Sequence, residues 1–188
     1  MTILFRRLYP GLLVRASILA LLALTVSACT GVPQGIQPVT NFDIQRYQGQ
    51  WYEIARLDNR FEKGMEAITA NYSLRDDGGV EVLNRGYLVE EKSWRSAMGK
   101  AYFIDDSSVG HLKVSFFGPF YSSYIVFGLD HDDYEYAFVT SSDKSYLWLL
   151  ARKPYVSDAV RQQFVTQSRR LGFDTDELIF VNHETESI

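Results

Sequence analysis

Few of the side chains that could carry chemistry in this sequence are spaced to do so. Glu53 follows Trp51 by two positions in Gly49-Gln50-Trp51-Tyr52-Glu53, where an alternating stretch begins. Residues i, i+2 and i+4 of a strand share one face. If Trp51 points inward, then Glu53, Ala55 and Leu57 point inward with it. A carboxylate there is either a buried acid satisfied by a neighbour or a hydrogen-bonding group for a ligand; both readings stand. A catalytic role would need a partner, and the sequence offers none. Asp130-His131-Asp132-Asp133 has oxygens suited to a hard cation, but its composition is that of a hairpin turn, which is the expected reading. His111, His131 and His183 are scattered and expected at the surface. There is no Gly-x-Ser-x-Gly, no histidine pair at metal spacing and no glycine-rich phosphate loop. The chain is therefore expected to be no enzyme, with no metal and no cofactor.

Cys29 is the only cysteine. Arg6, Arg7 and Arg15 precede an apolar run from Ala16 to Val26, and Ser27-Ala28 follow it. This is the pattern of a secretory signal, and the run is shorter than the roughly 20 residues that a membrane span takes. An exported chain with one cysteine forms no internal disulfide, so the thiol needs another use. "LTVSAC" resembles the bacterial lipobox, in which the cysteine is lipidated and becomes the new N-terminus. The resemblance implies a signal peptide over 1–28. Thr30, in place of an aspartate, implies sorting to the outer membrane, with the domain on the periplasmic side. Residues 29–40 are expected to be the lipidated cysteine and a tether, because "TGVPQGIQPVT" is rich in Pro, Gly and Gln. A domain at 41–188 then follows. The formal charge is −4 for the whole chain, and losing the three leader arginines makes it more negative. An acidic surface argues against a nucleic-acid partner. Oligomeric state leaves no signal in the sequence.

Hydrophobic residues make up 46% of the chain and aromatic ones 14%, a composition that favours strands. Strands are expected at 51–58, 68–75, 80–88, 94–104, 111–117, 123–130, 136–141 and 146–152, joined by short turns such as "DDGG" and "SDKS". Eight consecutive antiparallel strands can remove their edges by closing into an up-and-down barrel. A barrel of that size has room for one small ligand. After Pro154, Ser157 is an N-cap and Val160, Phe164, Val165 and Leu171 keep one apolar side at helical spacing. Gly172 ends that helix, which should pack outside the barrel. "ELIFVN" is a candidate for a short extra strand. The expected class is all-β: an eight-stranded antiparallel barrel with one C-terminal helix.

The last strand presents Tyr146, Trp148, Leu150 and Arg152 on one face and Leu147, Leu149 and Ala151 on the other. The first strand starts at the end of the barrel where the last one finishes. Trp51 and Arg152 are therefore expected to meet there. A guanidinium stacked on an indole contributes about 0.5–2 kcal/mol and would close the floor.

Gly49-Gln50-Trp51 matches the lipocalin Gly-x-Trp signature. With "YSLRDDGG", "KVSFFGPFY" and "YLWLLARKP", the chain resembles the bacterial outer-membrane lipocalins and, more distantly, apolipoprotein D. One departure lies between the sixth and seventh strands, where "LDHDDYEY" keeps Asp130 but not the Thr-Asp-Tyr of many lipocalins. The resemblance implies a binder of fatty acids or lysophospholipids in the cell envelope. It also implies a pocket lined by Glu53, Ala55, Ala70, Tyr72, Val82, Asn84, Val114, Phe116, Val126, Val139, Tyr146, Trp148 and Leu150. The mouth is expected near 58–66, 89–93, 117–123 and 141–145, with Arg60, Lys63, Lys92 and Lys144 among acids of opposite sign. The alternative is a structural envelope lipoprotein whose barrel is filled by its own side chains. An isomerase or hydrolase acting on a bound lipid is the third reading.

Overall fold

In the computed structural model, residues 30–104 and 106–184 are described. Cys29 and the leader expected over 1–28 lie outside them. Eight strands run antiparallel in chain order: β1 (Gly49–Leu57), β2 (Met65–Leu74), β3 (Val80–Leu88), β4 (Ser93–Phe103), β5 (His111–Ser115), β6 (Ser122–Leu129), β7 (Tyr136–Thr140) and β8 (Leu147–Ala151). β1 pairs with both β8 and β2, which closes the barrel. A short helix α1 (Ile44–Tyr47) leads into it, capped by the Asp43 carboxylate on the Gln45 amide. α2 (Asp158–Arg170) lies outside. The Ser157 hydroxyl caps its start by accepting from the Val160 amide, and Gly172 ends it at φ 85°.

Two apolar layers hold the molecule. Inside the barrel, Trp51, Tyr47 and Phe42 pack with Tyr72, Val80, Val126, Val139 and Leu150. Between barrel and α2, Ile54, Ala55, Phe138, Leu147 and Leu149 pack with Phe164, which is fully buried. The strict alternation of β8 supplies both layers, so its two faces are as the sequence predicts.

The first strand departs from expectation. Glu53 pairs with Leu150, but Ala55 pairs with Leu149 and Arg56 with Trp148. The extra residue is a β-bulge, and it reverses the alternation beyond it. Ala55, expected inside, lies in the outer layer under α2, as does Leu57. Arg56 takes the inward place and is 2% exposed.

β1 and β2 pair only between Gly49–Tyr52 and Thr69–Tyr72. Toward the mouth they part, and β9 (Leu178–Phe180) pairs along the same edge of β1. The Ala67 amide donates to the Asn182 carbonyl (2.9 Å) on the other side. The predicted extra strand thus fills a gap in the barrel wall.

The expected tether is also corrected. Part of the 31–40 stretch is held against the domain, although most of its residues are exposed: Ile36 is 6% exposed in the outer layer. The Val39 amide donates to the Val126 carbonyl (2.8 Å), and the Val39 carbonyl accepts from the Gly110 amide (2.9 Å). The buried Ile36 side chain, and the hydrogen-bonding groups of Gly110 before β5 and of Val126 in β6, outweigh the flexibility of the composition here.

Candidate functional site

The barrel has a closed end and an open end. At the closed end the Arg152 guanidinium lies over the Trp51 indole, 4.0 Å from the ring centre. The indole N–H donates to the Tyr47 carbonyl (2.8 Å). Arg152 donates to the carbonyls of Arg46, Gln48, Gln50 and Tyr134. Carbonyls of α1 and of the β1 entry thereby find partners that the ladder does not supply. Gly49, at φ 87°, brings the backbone past the guanidinium. Asp130 accepts from the amides of Asp132, Asp133 and Glu135, so the Asp-His-Asp-Asp stretch is a turn at this end.

Above the floor lies a small, partly open apolar space whose enclosed volume is about 10 Å³. Phe42, Tyr47, Tyr72, Val82, Leu112 and Val114 are among its walls. Three phenols meet there: Tyr124 hydrogen-bonds Tyr47 (2.7 Å) and Tyr72 (2.8 Å) through their hydroxyls. Burial raises the pKa of all three, so they stay neutral donors and acceptors.

Nearer the mouth the lining becomes polar. Arg56 pairs with Glu53 (3.1 Å), both almost fully buried, and donates to the carbonyls of Glu62 and Met65. The Trp148 indole donates to the Glu62 carboxylate (3.0 Å) and stacks beside Tyr146. Burial and the Glu62 carboxylate push the Glu53 pKa up, against the pull of Arg56. The partner that the sequence did not show for Glu53 is therefore Arg56, carried inside by the bulge. The Arg56 Nε and Asn84 Oδ1 atoms are buried without hydrogen-bond partners.

The predicted lining residues fall into groups. Tyr72, Val82 and Val114 line the floor space. Ala70, Val126, Val139 and Leu150 are buried in the inner layer. Glu53, Tyr146 and Trp148 lie toward the mouth, and Phe116 packs over Gly99, where any Cβ would come within 2.8 Å of its ring. Ala55 is on the other side of the wall. Leu112 and Tyr124 were within reach of sequence reasoning, since each is two residues from a named inward neighbour. Phe42 and Tyr47 precede the first strand and gave no alternation to read. Of the histidines expected at the surface, only His131 is exposed. His111 is buried, and His183 is half-buried with its Nε2 2.8 Å from the Glu53 carbonyl oxygen.

The mouth is built from the loops after β1, β3, β5 and β7, as expected from the strand directions. Arg60, Lys63 and Lys92 are exposed there and Lys144 is half-buried. The lipocalin-like domain family matches residues 42–183.

This chain belongs to the lipocalin family.

Among its relatives is the outer membrane lipoprotein Blc of Vibrio cholerae, 49% identical over 170 residues, which cover 90% of this chain and 99% of that protein. The protein of the same name from Escherichia coli K12 is 49% identical over 175 residues, covering 93% of this chain and 97% of its own. Mouse apolipoprotein D is 33% identical over 123 residues, covering 62% and 64%. Insecticyanin from the tobacco hornworm Manduca sexta has the same fold, with a TM-score of 0.64 at 21% identity, covering 81% of this lipocalin and 86% of that chain. Lipocalins are ligand-binding carriers.

Proposed function

We propose that this lipocalin is an outer-membrane lipoprotein that stores or carries a fatty acid or lysophospholipid in the envelope. The observation that carries the reading is the change of polarity along the barrel axis. The floor space is apolar, while Glu53, Arg56, Glu62 and the Trp148 indole lie on the mouth side of it. That gradient suits an amphiphile entering tail down, with its head group toward the unpaired Arg56 Nε, once the side chains around the floor space part to admit it. Each methylene placed in the floor space contributes up to about 0.8 kcal/mol. Association and ordering of the chain cost several kcal/mol in return, so a long acyl chain is held reversibly. The lipobox-like Cys29 and the likeness to bacterial outer membrane lipoproteins support the outer membrane as the location.

The modest size of the floor space supports a second reading, the structural lipoprotein. The enclosed volume of that space is about 10 Å³, room for about one water and far below the roughly 300–1,000 Å³ usual for ligand pockets. Titration of fatty acids of increasing length, followed by Trp148 fluorescence, separates the two. The carrier reading expects affinity to rise with chain length. Affinity that is flat, or no binding at all, leaves the structural reading in place.

A further inference from the structure

One stretch of the mouth rim is apolar and open to solvent. Phe117 is 71% and Phe120 79% exposed in the β5–β6 loop, and Met98 on the neighbouring β4 is 60% exposed. The pairing explains why these three share a side. β5 pairs with β4 only through Lys100–Phe103, so the mouth half of β4 ends as a free edge beside that loop. Phe116 sits against Gly99 and joins the loop to the edge. The loop from 116 to 121 is Phe-Phe-Gly-Pro-Phe-Tyr and carries no charge. The rim is not apolar all round: Glu90, Glu91 and Lys92 lie in the β3–β4 loop, and Asp143 and Lys144 in the β7–β8 loop.

The N-terminal segment ends at that same apolar stretch. From Val39 near the floor it runs up the barrel, and the Ser123 hydroxyl donates to the Gly31 carbonyl (3.0 Å). Ser123 is at the mouth end of β6, three residues beyond Phe120. Cys29 is two residues before Gly31, a covalent reach of about 7 Å at most. An acyl anchor on Cys29 would then enter a bilayer within that reach of Gly31, near the exposed phenylalanines.

We propose that the rim formed by the β5–β6 loop and the free half of β4 is a membrane-docking surface, seated on the bilayer that holds the N-terminal anchor. Phe117 and Phe120 insert at the lipid interface, the charged loops tilt away from it, and the barrel opens toward lipid. A lipid ligand then passes between membrane and barrel without crossing water. The proposal rests on the lipid-anchor reading of Cys29, which membrane fractionation tests separately.

The test uses the full-length lipidated protein in phosphatidylethanolamine–phosphatidylglycerol vesicles. Acylation blocks the only native thiol, so an introduced cysteine takes a fluorophore selectively. Phe120→Cys labels the rim, and Asp133→Cys, also exposed, labels the floor end. The expected result is a blue shift at Phe120, and loss of its emission when the lipids carry acyl-chain nitroxides, with neither at Asp133. Adding Phe117→Ser should reduce the quenching at position 120. Equal quenching by aqueous iodide at both ends overturns the proposal, as does lipid quenching at Asp133 alone. Quenching at Phe120 that follows protein density rather than nitroxide content also overturns it, and assigns the surface to a second copy of the chain.

Discussion

The Arg152 guanidinium rests 4.0 Å from the centre of the Trp51 ring and is fixed there by four backbone carbonyls. The pair ties the first strand to the end of the last, and with them the entering helix. Trp51→Ala should destabilise the domain by about 3–5 kcal/mol, the range for removing a large buried aromatic. Arg152→Ala should cost less, because part of that side chain is solvated, although it strands carbonyls. Since the two touch, their effects should be non-additive in a double-mutant cycle measured by urea unfolding. Additive costs would show that the stacking contributes nothing of its own.

The buried acid predicts a pH dependence. Burial and Glu62 hold the Glu53 pKa above its ordinary value. The native state then keeps a proton that the unfolded chain releases, so stability falls as pH rises from the ordinary carboxylate pKa toward the raised one. Glu53→Gln removes that proton linkage and should flatten this part of the profile. Urea midpoints measured from pH 4 to pH 8 check it; an unchanged slope would place the titration elsewhere.

Gly99→Ala should expel Phe116 from its seat. A Cβ there would lie 2.8 Å from the Phe116 ring and 3.0 Å from the Ser115 carbonyl oxygen. Overpacking of this kind costs about 1–3 kcal/mol. Phe116→Ala, in contrast, opens space inside the barrel, and under the carrier reading it should favour longer acyl chains. Loss of binding by that variant would show that the ring itself holds the ligand.

Cys29→Ser should abolish acyl labelling and move the protein to the soluble periplasmic fraction. Unchanged membrane fractionation would refute the anchor.

Trp148→Ala should weaken lipid binding while leaving the fold intact, since Trp148 is only half-buried and its indole N–H reaches Glu62. Affinity by fluorescence then has to be replaced by calorimetry, with thermal unfolding as the control for the fold.

Much of this architecture was legible along the chain. Period-two alternation, short polar turns and a capped amphipathic segment are local properties, and they set the eight strands, α2 and both faces of β8. The Trp51–Arg152 floor also follows from local facts, because an even number of antiparallel strands brings the ends of the first and last together. The family was readable for the same reason: its signature residues sit where those ends meet. Tertiary structure decided what depends on a neighbouring strand. The bulge after Glu53 exists only in register against Leu150 and Leu149; it turned Ala55 out, brought Arg56 in and gave Glu53 its partner. The packing of Ile36 and Val39 is likewise invisible in a Pro- and Gly-rich composition, because what they meet lies far along the chain: Ile36 joins the layer under α2, and Val39 bonds Gly110 and Val126. Parity is a property of one strand, whereas register and burial belong to the pairs that strands make.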